Sequence, residues 1–195
     1  MPINLPSRGS FFKPRGAPPP SLCYNKSMKT LFAAFGGATN SSQALLELIH
    51  CPPADKLFLK NSFKTAPAQL RTCLTADDYD LVLLFGQRKM QPTVIRLETV
   101  ARDNRVAYHT TVNFPELARR FATAGFDPVI SKDAGRYLCN HIYLQALRHL
   151  DEHPLHAKVL FIHIPKLRQR PDLEKIAATL TTALDETILI DPGPL

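Results

Sequence analysis

The stretch "DLVLLFG", Asp80–Gly86, decides the fold. Leu81 to Phe85 are all apolar, with no polar residue at alternate positions. A strand of this kind is covered on both faces, which places it inside a sheet held between two helical layers. A second run, "AKVLFIHIP" (157–165), has the same character and is halted by Pro165. Around these two runs, strand and helix patterns alternate. "KTLFAAF" (29–35) predicts a strand that leads through "GGATNSS" into the helix "QALLELIH" (43–50), with Asn40, Ser41 and Ser42 as N-cap candidates. "KLFLK" (56–60), "TVIRLETV" (93–100) and "DPVIS" (127–131) predict further strands. "APAQLRTCL" (66–74), "PELARRFATAG" (115–125, closed by Gly125) and "PDLEKIAATLTTAL" (171–184) predict helices. The alternation predicts one α/β domain, a three-layer α/β/α sandwich on a largely parallel twisted sheet.

Working outward, residues 1–27 do not share this pattern. They hold six prolines, four basic residues and no acid. They read as a disordered Pro-rich leader, with Met28 opening the domain proper, residues 28–195. Four of the seven net positive charges fall in that leader, so the domain has an ordinary charge balance and no basic stripe suited to nucleic acid. No apolar run is long enough to predict a membrane span. Cys23, Cys51, Cys73 and Cys139 lack metal-site or paired spacing, which points to free thiols in a reducing, cytoplasmic setting.

One cysteine stands apart. In "SKDAGRYLCN" (131–140), Cys139 falls near the first turn of a helix whose apolar positions are Ile142, Ala146 and Leu150. Unpaired backbone N–H groups there favour a thiolate, the nucleophilic form. The plain alternative is a small apolar residue against a sheet. In open α/β sheets, sites gather beyond the carboxyl ends of strands. The Gly36–Gly37 turn, Glu98 and His163 are all expected there. Taken singly, His163 reads equally as a satisfied structural histidine and Glu98 as a solvated carboxylate. Together, a thiol, an imidazole and a carboxylate are the parts of an activated-nucleophile site.

These segments resemble the pyroglutamyl peptidase I family, the pyrrolidone-carboxylate peptidases. The Ser-x-x-Ala-Gly-x-x-x-Cys-Asn pattern is matched at Ser131, Ala134, Gly135, Cys139 and Asn140. Phe-Ile-His-x-Pro is matched at Phe161, Ile162, His163 and Pro165, and the glutamate motif at Glu98 and Ala101. "FAAFGG" and "LFGQ" are similar to two further family segments, at Phe32, Phe35, Gly36, Gly37 and at Gly86, Gln87. The resemblance implies a cysteine exopeptidase that removes N-terminal pyroglutamate from peptides, without cofactor or metal, and a possible homo-oligomer. It assigns Cys139 as nucleophile, His163 as general base and Glu98 as the group orienting it. Phe32, Phe35 and Gln87 would bind the substrate's lactam ring.

There are departures. The family's glycine, acid and proline around Phe32 are Leu31, Ala33 and Ala34 here. "RKMQP" replaces the glycine-rich segment after Gln87, and only "RVAYHTTVNF" remains of a long segment after the glutamate motif. Arg88 and Lys89 are therefore either solvated or available to an anionic group. Two other readings stand beside the peptidase. One is a same-fold cysteine amidase with another substrate. The other is a small-molecule binder, or a phosphate binder at "FGGATNSS", although that turn has no following lysine.

Overall fold

The computed structural model describes residues 28–51, 54–103, 106–153 and 157–185. The proposed leader lies outside the described residues, as does His156. Six strands form one sheet. They are β1 (Thr30–Phe35), β2 (Ala54–Leu59), β3 (Leu81–Arg88), β4 (Val94–Glu98), β7 (Asp127–Ser131) and β8 (Lys158–Pro165), in the order β2-β1-β3-β8-β4-β7. All neighbours run parallel except β4 and β8, which are antiparallel. A short hairpin of β5 (Val100–Arg102) and β6 (Ala107–His109) stands apart.

The two apolar runs quoted first are the sheet's interior. β3 and β8 pair along their full length, from Leu81 opposite Lys158 to Arg88 opposite Pro165. Side chains alternate between the faces, so each strand feeds two cores. Leu81, Leu83, Phe85, Leu160 and Ile162 enter one core, with α1 (Ser41–Leu48), α3 (Phe114–Thr123) and α5 (Leu173–Asp185). Val82, Leu84, Val159 and Phe161 enter the other, with α2 (Thr65–Ala76) and α4 (Leu138–Glu152). This is the α/β architecture that the sequence predicts.

The segment 93–100 departs from its prediction as a single strand. It leaves the sheet after Glu98, where Thr99 turns its N–H and hydroxyl to the Ser131 carbonyl at 2.7 and 3.0 Å. The chain then enters β5. The "FGGATNSS" turn is a tight strand-to-helix connection. Gly37 has φ +138°, and Asn40 caps α1 by accepting from Ser42 N–H at 3.0 Å. The amides of Gly36, Gly37 and Asn40 bond Leu59 O, Gln43 Oε1 and Gly37 O. The phosphate-cradle reading thus loses its donors.

Helix α4 is anchored by Tyr143. Its ring is fully buried and tilted against Phe161 at 5.8 Å, and its hydroxyl donates to the Glu98 carbonyl at 2.8 Å. Tyr143→Phe would remove that buried hydrogen bond, at a cost of about 1–2 kcal/mol. Urea unfolding should show the midpoint fall with an unchanged slope. An unshifted midpoint would refute the anchoring role.

Candidate active site

Three elements bring the sequence-predicted chemical residues to one face of the sheet. Gly86 in β3 is the register partner of His163 in β8, and side chains at paired positions share a face. In β4, Arg96 is opposite His163 and Glu98 opposite Phe161. Glu98 therefore reaches His163 diagonally, across an antiparallel pair. It does not project from the carboxyl edge that His163 occupies, as the sequence reading supposes, because β4 runs the other way.

The contact is close. His163 Nδ1 lies 2.9 Å from Glu98 Oε1, with His163 3% exposed and Glu98 fully buried. Arg96 Nε donates to the same oxygen at 3.2 Å, and Arg96 Nη2 donates to Ser131 Oγ at 2.5 Å. Burial alone would raise the Glu98 pKa. The hydrogen bond from His163, the nearby Ser131 hydroxyl and the Arg96 charge outweigh it, so the carboxyl sits below its usual range. Glu98 Oε2 is buried with no hydrogen bond within the described residues, so the Ser131 hydroxyl acts by proximity and not by a formed bond. An ionised Glu98 can only accept, so Nδ1 carries the proton and Nε2 of His163 is left as the basic nitrogen. The sequence reading of Glu98 as a solvated carboxylate does not hold.

Cys139 is the second residue of α4, and its side chain packs half-buried against the core below. The approach depends on Gly86. A Cβ built on Gly86 would lie 2.8 Å from Phe161 Cζ and 3.0 Å from Cys139 Sγ. The thiol thus rests over the one position in β3 without a side chain, and that position is the cross-strand neighbour of His163. The expected low-pKa thiol is not what this setting produces. Burial pushes the Cys139 thiol up to about 11, with the Glu98 charge adding to the rise. The residue's own backbone N–H and the Arg88 charge oppose it only partly. At neutral pH the resting Cys139 side chain is a protonated thiol.

The residues expected to bind the lactam separate. Phe35 lies at the carboxyl end of β1 on the Cys139 face of the sheet. Phe32 is fully buried in the opposite core, stacked on Phe85 at 6.1 Å. A regular strand alternates, so residues three apart cannot share a face. With Ala33 and Ala34 in place of the family's acid and proline, β1 stays paired on both sides through Ala34. Phe32 is therefore not brought to Cys139. Gln87 also turns away from Gly86's face, its Oε1 lying 3.3 Å from Ser41 N at the start of α1. Arg88 donates to the Asp133 carbonyl at 3.3 Å and so braces the loop before Cys139; Lys89 is exposed. His141 packs on Phe63 at 5.4 Å, and His149 stacks on His153 at 4.3 Å.

Sequence reasoning missed the roles of three residues. Arg96 was legible as the residue two before Glu98, hence on its face of a strand. Gly86 carried only the signal of a glycine inside an apolar strand, which marks close approach. The polar bond of Tyr143 had no sequence signal.

Comparison with known proteins agrees with the fold. The pyroglutamyl peptidase family profile matches residues 89–186. The pyrrolidone-carboxylate peptidase of Staphylococcus aureus strain JH9 is 26% identical, over 72% of this chain and 81% of its own. Two solved structures share the fold. The Thermococcus litoralis pyrrolidone carboxyl peptidase superposes with a TM-score of 0.69 at 20% identity, covering 86% of this chain and all of its own. The Fervidobacterium islandicum pyrrolidone carboxyl peptidase gives 0.68 at 18% identity, covering 82% and 98%. Fold and family together define an α/β cysteine peptidase of the omega type. The chain belongs to the pyroglutamyl peptidase family.

Two outcomes test the site. Iodoacetamide capture of Cys139 should climb with pH to a midpoint near 11, and Glu98→Gln should lower that midpoint by removing a nearby negative charge. A midpoint in the ordinary thiol range would contradict the burial argument. Gly86→Ala should destabilise the fold by about 1–3 kcal/mol through overpacking against the Phe161 ring. It should also change the Cys139 alkylation rate, and wild-type values of both would show that the contact is slack.

Proposed function

We propose that Cys139, His163 and Glu98 act as a nucleophile, base and orienting carboxylate that remove N-terminal pyroglutamate from peptides. The observation that carries this reading is the buried Glu98–His163 contact at 2.9 Å, set beside a thiol that Gly86 admits. Family membership supports pyroglutamate removal as the reaction.

In the proposed reaction the thiol stays protonated until a carbonyl is in place. His163 Nε2 takes the Sγ proton as Sγ bonds the carbonyl carbon between the lactam and the next residue. The imidazolium so formed is stabilised by the ionised Glu98 at Nδ1. The oxyanion faces the open N–H groups of the first turn of α4, where Leu138, Cys139 and Asn140 precede the first intrahelical donors. His163 then gives its proton to the departing amine, which leaves a thioester on Cys139. Water, deprotonated by the same nitrogen, releases pyroglutamate and restores the thiol.

Phe35 is the aromatic wall assigned to the lactam, since it shares the Cys139 face. The separation of Phe32 from that face favours one second reading, the same cysteine chemistry on a different small amide.

Hydrolysis of a pyroglutamyl-coumarin amide is the test. The protein should release the fluorophore, and iodoacetamide or Cys139→Ser should abolish release while far-UV circular dichroism is retained. Glu98→Gln should lower kcat by roughly 10²-fold or more, since the histidine loses its orienting charge. Activity that survives Cys139→Ser would sink the mechanism. No release from folded protein whose Cys139 still alkylates would favour the other amide.

A further inference from the structure

The departing peptide needs a path away from Cys139, and a groove that Cys139 itself does not line adjoins the turn of α4 that carries it. A depression of about 870 Å³ opens beside the first turn of α4. Tyr137 and Asn140, which flank Cys139 in the chain, both line it. So do Lys132 and Arg136 on the loop leading to the helix, Arg102 at the end of β5, and Phe63 across the gap.

Its charge is one-sided. Arg102, Lys132 and Arg136 are all exposed along it. Two acids also line it, but each is met by a cation: Asp103 by Arg148 at 3.3 Å, and Asp133 by Arg88 at 3.9 Å. The positive side is also fixed in place. The Asn140 amide accepts from Arg102 N–H at 3.0 Å and donates to Arg102 O at 2.7 Å. The Arg102 guanidinium bonds the Lys132 carbonyl at 3.1 Å. The loop carrying Lys132 is further held by Ser131 Oγ, which accepts from Asp133 N–H at 3.1 Å. Two aromatic rings stand open at this groove, Tyr137 at 80% exposure and Phe63 at 58%. Exposed rings of this size are common contact points for a bound chain.

Building on the pyroglutamyl peptidase reading, we propose that this groove receives the peptide beyond the scissile bond and selects for negative charge on it. The recognised chemistry is a carboxylate, from an acidic side chain within the first residues after pyroglutamate or from the C-terminus of a short peptide. Cationic surfaces raise the local concentration and the capture rate of such ligands, and salt weakens the effect.

The test uses the full chain on peptides that differ only beyond the scissile bond. At low ionic strength, kcat/KM for pGlu-Ala-Glu-amide should exceed that for pGlu-Ala-Lys-amide by about 5-fold or more, and raised salt should shrink the ratio. Pairing pGlu-Ala-Ala with its amide separates the C-terminal carboxylate from the side-chain one. In Lys132→Glu/Arg136→Glu the ratio of acidic to basic substrate should invert, a readout independent of how active that variant is. A second measurement needs no turnover: fluorescently labelled Ala-Glu-Glu should bind more tightly than Ala-Lys-Lys by anisotropy. Equal kcat/KM values with active enzyme overturn the groove and leave the peptidase reading intact. Selective binding of the acidic tripeptide without pyroglutamate release keeps the groove and overturns the substrate. Neither binding nor preference overturns the groove outright.

Discussion

The Glu98 carboxylate is the constraint around which this site is arranged. A fully buried carboxylate is costly unless charge and hydrogen bonds compensate it. Here one oxygen receives both His163 Nδ1 and Arg96 Nε. That compensation keeps Glu98 ionised, and its ionisation sets the histidine tautomer that leaves Nε2 free. The same residue's main-chain carbonyl holds α4 through Tyr143. The strand that carries Glu98 thus also positions the helix that carries Cys139. A carboxylate with a depressed pKa contributes stability above its unfolded-state range and loses it as pH falls through the lower folded value. Fold and site therefore share one acid sensitivity.

The direction of β4 makes this possible. In a wholly parallel sheet, Glu98 at the end of its strand would extend past the edge into water. Reversed against β8, it is carried inward beside Phe161 and meets His163 on the diagonal. The cost of a buried acid is matched by a gain in rigidity, because neighbouring strands hold both members of the pair. Gly86 completes the arrangement from the other side of β8. It lacks the Cβ that would collide with the Phe161 ring and with Sγ.

Much of this was legible in the sequence, and for definite reasons. The runs 81–85 and 159–162 read as central strands, because short unbroken apolar runs suit a strand covered on both faces. The helices beginning at Ser41 and Leu138 followed from apolar spacing, and the first from its cap residues as well. The chemical residues were visible as types in order along the chain. What could not be read was strand direction, since an apolar pattern is the same in either sense. The thiol's environment was hidden for a related reason: position near a helix start suggests a low pKa, whereas the packing that overrides it comes from Phe161 and β3, distant in sequence. The Phe32 assignment failed on local geometry. Two aromatics three apart share a site only if the strand between them breaks, and Ala33-Ala34 lets it continue.

That last point bears on how the chain divides its labour. A continuous β1 moves Phe32 into the opposite core and leaves Phe35 as the one member of that pair on the Cys139 face. Less of the recognition can then come from gripping the acyl ring. The groove beside the first turn of α4 is where the structure places charge, aromatic surface and pinned backbone. A thiol held neutral by burial fits the same division. It is a weak nucleophile towards small electrophiles in solution, and in the proposed reaction it becomes reactive when a bound carbonyl lets His163 take the proton during attack. Substrate capture at the groove would then set the timing of the chemistry as well as its selectivity. Binding energy gathered away from the reacting bond can be used to hold carbonyl, thiol and imidazole in register.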